Sequence, residues 1–312
     1  MGKLLFVFNS TNPMSRDFVL VTYVPFYRFH EVLKWQLLNA RLLGVDYITV
    51  YVDNVFAKEQ VDLLELIVDR FNDKVTVRTG NWRSRCGTWF SIIRDHMQLG
   101  KPFVIIDSDN EVSEPERVSK FIGWAVEEGI PLAGVLDTTA LVDGKGIPVQ
   151  FLRRTSTVVE DEDGMRIGFY ETYKPGLRGN PFFIGPKQIV VLNLTGAEEF
   201  KGHLGIVRGL LDRIERAFNA VNPAIRNYIS DETLLGLLAH LLGICCVPYL
   251  VGGTAHHVHG STPGVTQKHY KYLVARAHYE FAKALCKEGL CDRWYLIRYF
   301  LSNLYNSLPW LF

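Results

Sequence analysis

Cysteine is scarce in this chain and is not spaced as metal-binding sites require. The 312 residues include five cysteines, and none of them forms a CxxC pair or another zinc-type spacing. This argues against a structural zinc site. An odd number also argues against a framework in which every cysteine is paired. Cys286 and Cys291 flank a predicted turn at Glu288-Gly289, and the sequence leaves open whether they form a disulfide or remain reduced thiols.

A charge excess of either sign is also missing. Lys plus Arg number 34 and Asp plus Glu 33, which gives a formal net charge of +1. Proteins that bind nucleic acids usually carry a strong basic excess, so we expect no nucleic-acid partner. The apolar run within residues 1–9 is too short for a signal peptide and predicts a strand instead. We therefore expect a cytoplasmic protein.

Only one stretch is apolar enough to suggest a membrane span. Residues 233–251 contain no Asp, Glu, Lys or Arg, and their length would permit a crossing. However, His240 interrupts the stretch, Pro248 breaks its end, and Asp231-Glu232 leads into it. A buried helix over about residues 231–243, followed by a buried strand over about 244–251, explains the composition without lipid.

No internal repeat or low-complexity linker divides the chain, and predicted strands and helices alternate along its first half. This alternation predicts a parallel sheet covered by helices on both faces. The first predicted helix spans 30–43, and its apolar residues on one side are Val32, Trp35, Leu38 and Leu42. The predicted strands are 17–24, 47–52, 74–78 and 103–106, and the helices between them are 30–43, 59–71 and 88–99.

The pattern changes after residue 137. Asp163-Gly164 lies between the β-rich runs 155–159 and 165–170, which predicts a hairpin. Residues 188–193 predict a short strand at a sheet edge. We expect one α/β domain whose second half supplies an antiparallel lid.

Polar side chains follow several of the predicted strands. Ligands of parallel sheets bind beyond the carboxyl ends of the strands, so these clusters are expected to converge on one edge. Strand geometry would place Asp107 and Asp109, at i and i+2, on the same side. Two carboxylates suit a hard divalent cation that keeps open positions for phosphate oxygens. The clusters are Thr22-Tyr23, Asp53-Asn54 and Asp107-Ser108-Asp109.

On these residues the chain resembles the GT-A fold of nucleotide-sugar glycosyltransferases. Their signature is an apolar strand that ends in Asp-x-Asp, as residues 102–109 do. Residues 44–54, which follow a helix that begins near Glu31, are similar to the second-strand region of that superfamily. The resemblance covers residues 17–260 and does not single out one family within the superfamily.

The resemblance implies an α/β fold of the GT-A type. This fold is Rossmann-like, with a mostly parallel sheet flanked by helices, a small antiparallel second sheet and, here, C-terminal helices. The glycosyltransferase domain would span residues 1–264, with a nucleotide-binding half at 1–137 and an acceptor half at 138–264. Residues 265–312 would form a helical, aromatic-rich extension.

The resemblance also implies a donor site. Asp109, and Asp107 through water or ribose, would hold Mn²⁺ or Mg²⁺ on the donor diphosphate, where the cation offsets charge that develops on the leaving nucleotide. Arg83 and Arg85 would reach phosphate or sugar hydroxyls, unless they are solvated loop charges. The other implied donor contacts are Thr22, Tyr23 and Asp53 at the base and ribose, Ser108 in the motif, and Asp137 at the sugar.

Residues late in the domain would complete the site. Many such enzymes use a late histidine on the metal, and His259 is the first choice within 256–259. Asp231 and Glu232 open an apolar helix, where Ser230 is a natural N-cap and acids favour the positive end of the helix dipole. The resemblance implies that one acid at this position, Asp231 before Glu232, takes the proton from the acceptor hydroxyl as a general base in an inverting enzyme. In a retaining enzyme a similar residue would contact the donor sugar, and the sequence leaves the two open.

The C-terminal segment has two explanations. Residues 294–312 contain seven aromatic residues and a single charge, Arg298, and Pro309 interrupts them near the end. An amphipathic helix at a membrane interface would suit aromatic residues backed by a basic stretch, and it would fit a lipid-linked acceptor. Packing against the domain, or against a partner subunit in a homo-oligomer, explains the same composition.

The resemblance thus implies a metal-dependent glycosyltransferase, and more narrowly a hexosyltransferase, that moves a sugar from a UDP- or GDP-sugar to an acceptor hydroxyl. The sequence leaves the acceptor open, and a glycan and a lipid-linked molecule are two candidates. A haloacid-dehalogenase-like phosphatase would place its nucleophilic Asp after the first strand, whereas here the motif follows three strand–helix units. A nucleotidyltransferase would usually have an early Gly-rich loop with a Lys, which this chain lacks. A non-catalytic nucleotide-sugar-binding module is the remaining alternative.

Overall fold

The computed structural model describes most of the chain. In that part, helices flank a nine-stranded sheet, and a second sheet has four strands. The described residues are 17–71, 74–136, 139–142, 145–148, 157–160, 164–172, 188–200, 202–257, 267–291 and 293–307.

The strands come mainly from the first 192 residues, and two more follow before residue 258. They are β1 Val19–Pro25, β2 Ile48–Asp53, β3 Val75–Thr79, β4 Phe103–Asp107, β5 Asn110–Val112, β6 Leu132–Leu136, β7 Thr139–Val142, β8 Lys145–Pro148, β9 Thr157–Glu160, β10 Arg166–Glu171, β11 Ile189–Leu192, β12 Cys246–Val251 and β13 Thr254–His257.

The helices alternate with the strands at first and dominate the last third of the chain. They are α1 Phe29–Leu42, α2 Lys58–Val68, α3 Arg85–Leu99, α4 Pro115–Glu127, α5 Leu204–Asn219, α6 Pro223–Arg226, α7 Asp231–Leu241, α8 Gln267–Lys287 and α9 Arg293–Ser307.

The large sheet has the order β3-β2-β1-β4-β11-β6-β12-β10-β9. Strands β1 to β4 are mutually parallel, and β6 and β12 run in the same direction, while β11 and β10 run against them. The small sheet, β5-β13-β7-β8, is mostly antiparallel. The predicted fold class, a mostly parallel sheet with helices, a small second sheet and C-terminal helices, is confirmed.

Each face of the large sheet carries its own apolar core. Alternation along β4 sends Phe103 and Ile105 to the core that also contains buried residues of α3, α5, α7 and α8. The neighbouring Val104 and Ile106 join the core under α1, α2 and α4. The two layers of helices are therefore a direct result of the near-continuous apolar composition of the strands, which is typical of a sheet buried on both faces.

Strand β11 lies at the centre of the sheet, between β4 and β6, and not at the edge predicted for residues 188–193. All four of its residues, Ile189–Leu192, are buried. An edge strand would expose one face or one row of backbone groups, and this run has no polar residue to place there. The unbroken apolar run was the signal for a central strand.

Helix α1 buries a different face from the one its spacing suggested. Trp35, Leu38 and Leu42 are exposed, and only Val32 of the predicted set is buried. The buried face instead carries two amides, Gln36 and Asn39, at 0% and 1% exposure. Hydropathy could not find this face, because burial of a polar side chain needs hydrogen-bond partners that only the folded chain supplies.

The apolar run at 233–251 is divided as predicted, into helix α7 and strand β12. The predicted hairpin is also confirmed, since β9 and β10 pair antiparallel. All five cysteines are reduced thiols rather than disulfides, including Cys286 and Cys291. Within the described ranges, none of the helices combines the length and the apolarity that a bilayer crossing needs.

A test of the packing between β6 and β12 uses Gly134. A Cβ at this position would lie 2.8 Å from Cδ1 of Tyr249 and closer still to Cε1. That ring is buried and packs edge-on against Tyr170, so a shift of the ring would disturb this contact. We expect Gly134→Ala to lower the free energy of unfolding by about 1–3 kcal/mol in denaturant titrations.

Gly209 provides the matched control for this substitution. It is exposed in α5, and a Cβ there would meet nothing within 4 Å. Gly209→Ala should raise the free energy of unfolding by about 0.5–1 kcal/mol, because Ala has the higher helix propensity. Equal effects of the two substitutions would contradict the proposed crowding at Tyr249.

Candidate active site

Tyr23 and Asp107 lie side by side on one face of the sheet. They are register partners across the parallel pair of β1 and β4. Alternation places Tyr23 with Val19 and Val21, on the face that packs against α3 and α7. Asp107 ends β4 on that same face, because it is two residues after Ile105. The site is therefore built on this face, near the carboxyl ends of the central strands.

Two helices begin at this edge of the sheet. Ser84 caps α3, since its hydroxyl accepts from the Gly87 N–H at 2.9 Å, and Arg85 is the first helical residue. Ser230 caps α7 in the same way, and Asp231 is the first helical residue. The positive ends of both helix dipoles therefore lie at the site, where they favour bound anions.

A buried hydrogen bond joins β1 to the start of α7. The Tyr23 hydroxyl donates to Oδ2 of Asp231 at 3.0 Å. Burial raises the pKa of Tyr23 well above its ordinary value, and the charges of Asp107 and Asp231 add to this effect. The phenol therefore stays protonated and remains a donor.

Arg85 is exposed to solvent and lies among the acidic groups. Its pKa is raised above the ordinary value, first by Asp107 and then by Tyr23, Asp231 and Asp109. If all groups are ionised, one guanidinium faces three carboxylates, an excess of two negative charges. Like charges about 4 Å apart repel by about 1 kcal/mol in water and about 4 kcal/mol near a protein surface. The cluster is thus suited to gaining further positive charge.

The Asp-Ser-Asp segment is a turn rather than a continued strand. Strand β4 ends at Asp107, and Ser108 and Asp109 form the turn that leads into β5. Strand alternation, the expected reason for the alignment of the two carboxylates, is therefore wrong, although both carboxylates help to raise the pKa of Arg85. In the turn, Oδ1 of Asp107 accepts from the Ser108 N–H at 3.0 Å, and Asn110 Nδ2 donates to Oδ1 of Asp109 at 3.2 Å. Ser108 itself is buried.

The two buried amides of α1 hold this turn from behind. Gln36 Nε2 donates to the carbonyl oxygens of Asp107, at 3.3 Å, and Ser108, at 3.4 Å. Asn39 donates to the Asn110 carbonyl at 2.8 Å and accepts from the Val112 N–H at 2.9 Å. These two residues were not predicted from the sequence. Their signal was the polar pair at i and i+3 inside an otherwise regular helix.

Strand β13 brings histidines next to the same turn. The His257 N–H donates to the Asp109 carbonyl at 2.8 Å, and β13 pairs with β5. The His257 side chain lies with its Nε2 3.4 Å from Oε2 of Glu111, and its ring is 5.0 Å from that of Trp35. His259, the predicted metal ligand, lies outside the described residues.

Asp53 and Arg83 belong to a neighbouring loop. Oδ1 of the buried Asp53 accepts from the N–H groups of Trp82, at 2.7 Å, and Arg83, at 3.1 Å. This contact fixes the loop before α3, where Arg83 has a positive φ of 57°. The exposed Arg83 side chain contacts Asn81. The pKa of Arg226 is lowered, first by its own burial and second by the charge of Arg83. Arg83 thus lies near enough to Arg226 to affect its pKa, whereas the charge of Arg85 is felt by the carboxylates.

The remaining predicted residues differ in accessibility. Thr22 is fully buried and its hydroxyl donates to the Ile106 carbonyl at 2.9 Å, so it joins β1 to β4. Asp231 is 1% exposed, whereas Glu232, the next residue, is only partly buried. Asp137 lies outside the described residues.

The acidic turn fits a divalent cation that is shared with a phosphate ligand. In the described portion of the chain, no group of three or more His, Cys, Asp or Glu side chains is arranged to hold a metal ion. Asp107 and Asp109 supply two carboxylates, and Mg²⁺ sites are commonly built from one or two carboxylates plus substrate phosphates. Hard oxygen ligands suit Mn²⁺ equally well.

Comparison with known proteins gives only distant likenesses. No protein-family model matches the chain, and no curated protein matches its sequence. One similar solved structure is GalNAc-T7 with UDP, GalNAc and Mn²⁺, at 12% identity and a TM-score of 0.41, over 96% of this chain and 58% of that one. Another is the mannosyltransferase PcManGT from Pyrobaculum calidifontis with GDP-Man and Mn²⁺. It matches at 10% identity and a TM-score of 0.45, over 96% of this chain and 79% of that one.

A third likeness is to a different kind of transferase. The inositol-1-phosphate CTP transferase from T. maritima matches at 10% identity and a TM-score of 0.41, over 85% of this chain and 97% of that one. At such low similarity, the geometry of the site decides which function we propose.

The contribution of α1 to the site can be tested with Asn39→Ala. The change removes the side chain that hydrogen-bonds to the Asn110 carbonyl and the Val112 N–H, and both of these hydrogen bonds are buried. We expect the free energy of unfolding to fall by about 1–3 kcal/mol, measured by denaturant titration. Lys34→Ala, an exposed position on the same helix, is the control and should leave stability within about 0.5 kcal/mol. A neutral Asn39→Ala would contradict the role of this side chain in holding the turn.

Proposed function

We propose that this protein is a glycosyltransferase that uses a nucleotide-diphosphate sugar as donor. The observation that carries the proposal is the convergence of Tyr23, Arg85, Asp107 and Asp231 at the carboxyl edge of a parallel sheet, beside the turn that carries Asp109. Ligands of such sheets bind at this edge. An excess of acid beside an arginine and two helix N-termini suits a diphosphate that arrives with a cation.

The donor diphosphate would lie between the acidic turn and the start of α3. Arg85 would donate to phosphate oxygens, since a guanidinium forms paired hydrogen bonds with them. Asp107 and Asp109 would hold Mn²⁺ or Mg²⁺, which as a Lewis acid would stabilise the leaving nucleotide. Asp53 would keep the loop before α3 in position. Thr22 and Arg83 are not part of this proposal, because one is buried in the sheet and the other lies near Arg226.

The acceptor would approach from the start of α7. Asp231 is buried and accepts from Tyr23, so we assign it the role of positioning Tyr23 and keeping negative charge near Arg85. Glu232 is partly exposed, and we assign it the role of general base on the acceptor hydroxyl. The sequence favoured Asp231 over Glu232 as the base. We reverse that preference, because a general base must reach the acceptor and Asp231 is buried.

The finer features of the donor and acceptor extend the same proposal. A UDP- or GDP-hexose is the donor class, and Asp137 and His259 are the further residues proposed for the sugar and the metal. The acceptor is a hydroxyl of a glycan or of a lipid-linked glycan. The position of the acidic turn after the fourth strand of the parallel series weighs against a phosphatase, which would carry its nucleophile after the first strand.

Donor binding is the first test. The purified full chain with Mn²⁺ should bind a UDP- or GDP-sugar in calorimetry and release nucleotide slowly by donor hydrolysis. Asp109→Ala and Arg85→Ala should each weaken donor binding by at least about tenfold, which is 1.4 kcal/mol, because each removes a charge that faces the diphosphate. Arg83→Ala, which removes the same charge two residues away, should change affinity less than about twofold.

Two results would contradict the proposed function. The first is the absence of binding and hydrolysis with every UDP-, GDP- and CMP-sugar, combined with turnover of a simple phosphate ester. The second is unchanged donor affinity in both the Asp109 and the Arg85 variants. Tight donor binding without hydrolysis or transfer would favour the non-catalytic binding module.

The division of roles at α7 is the second test. With an acceptor in hand, Glu232→Gln should lower kcat by at least about a hundredfold while leaving donor affinity unchanged, since it removes only the proton acceptor. Asp231→Asn keeps an oxygen that can accept from Tyr23, so its kcat should fall by less than about tenfold. The opposite order, measured by steady-state kinetics, would assign the base to Asp231.

A further inference from the structure

The C-terminal helix α9 packs two of its tyrosines, Tyr295 and Tyr299, against the domain. The Tyr295 hydroxyl lies 3.2 Å from Nε2 of His240, in α7. Tyr299 is buried and stacks on the ring of His278 in α8, with 5.9 Å between ring centroids and 17° between planes. These contacts fix the orientation of α9 on the domain, so its opposite face is left toward solvent.

That outer face of α9 is apolar. Of the seventeen large hydrophobic residues that are exposed in the described part of the chain, six lie on this fifteen-residue helix. Trp294 and Tyr305 are 55% and 74% exposed. Spacings of three and four residues place most of the set on one side of a helix. The outer face consists of Trp294, Ile297, Phe300, Leu301, Leu304 and Tyr305.

The surroundings of this face are basic. Helix α9 has no acid and two arginines, of which Arg293 is exposed and Arg298 is buried. Helix α8 has five Lys or Arg and one acid, Glu280. Glu280 is paired with Arg276 at 3.4 Å. Lys283 lies over the ring of Tyr279, at 5.7 Å from its centroid, and that ring contacts Phe300 of the outer face at 5.7 Å. A cation is therefore held directly beside the apolar surface.

We propose that the outer face of α9 docks on an anionic lipid surface. Tryptophan and tyrosine among leucine and isoleucine, with lysine or arginine alongside, is the composition of helices that lie in the membrane interface. Lys283 and other exposed cations of these helices, such as Lys287 and Arg293, would face anionic headgroups. A symmetric dimer through the same face would instead bring two basic helices together, where like charges repel.

Vesicle binding by the full chain tests this docking. Flotation with phosphatidylcholine vesicles, with and without phosphatidylserine, should show at least about tenfold stronger partitioning when the anionic lipid is present. The double variant Leu301→Glu/Leu304→Glu should reduce partitioning by at least about tenfold, because it places charge on the buried side of the interface. Both leucines are exposed, at 39% and 44%, so the folded chain can accept the change.

A matched control comes from α2. Leu63 and Leu66 have the same spacing as Leu301 and Leu304 and are 46% and 56% exposed. Leu63→Glu/Leu66→Glu changes the net charge by the same amount, and it should alter partitioning by less than about twofold. Lys283→Gln should weaken binding to phosphatidylserine vesicles by about fivefold and leave binding to phosphatidylcholine unchanged.

Three outcomes would overturn the proposal. One is no flotation of the parent chain with either vesicle. Another is an equal loss in the α2 and α9 double variants, which would make the effect one of net charge. The last is a dimer in light scattering that Leu301→Glu/Leu304→Glu dissociates, in a chain that does not float with vesicles, which would assign the face to a second copy.

Discussion

Two buried amides on α1 set the geometry on which the candidate site depends. Gln36 and Asn39 occupy helix positions that would ordinarily be apolar, and they bind the backbone of the turn that carries the acidic pair. A turn between short strands would otherwise be free to vary, since loops are generally more mobile than the elements they connect. Here its carbonyl groups are bound to a helix, so Asp107 and Asp109 project from a fixed frame.

The acidic frame is balanced from the opposite side. Arg85 and the two helix starts supply the positive charge, and they come from segments far apart in the chain. The carboxylates alone, or Arg85 and the helix N-termini alone, would be unfavourable at close range, because like charges repel. Partial burial strengthens that repulsion. The arrangement can therefore accept a ligand that carries both signs, such as a diphosphate with its cation.

The sequence predicted the architecture well because the signals were strong and local. Alternating strands and helices indicated the parallel sheet, and the composition of residues 233–251 indicated α7 and β12. The failures have one physical cause, which is that they depend on contacts distant in sequence. Gln36 and Asn39 gain partners only from the β4–β5 turn, and β11 becomes central only because β4 and β6 flank it.

The candidate site was predicted less completely than the fold. Asp107 and Asp109 were found through their motif, and Asp231 through its place at a helix start. Their side-chain geometry was not predictable from strand alternation, because Asp109 lies in a turn. The different surroundings of Arg83 and Arg85 were also not predictable, since Arg83 precedes α3 with a positive φ and Arg85 is the first residue of that helix.

The hydrogen bond between Tyr23 and Asp231 has a consequence for the synthesis of the chain. Its two residues are 208 positions apart, so the acceptor is made long after the donor. While the ribosome is adding the residues between them, β1 to β4 can pair, but the Tyr23 phenol lacks its final partner. The first half can therefore assemble its strands early, whereas the site is completed only when α7 arrives.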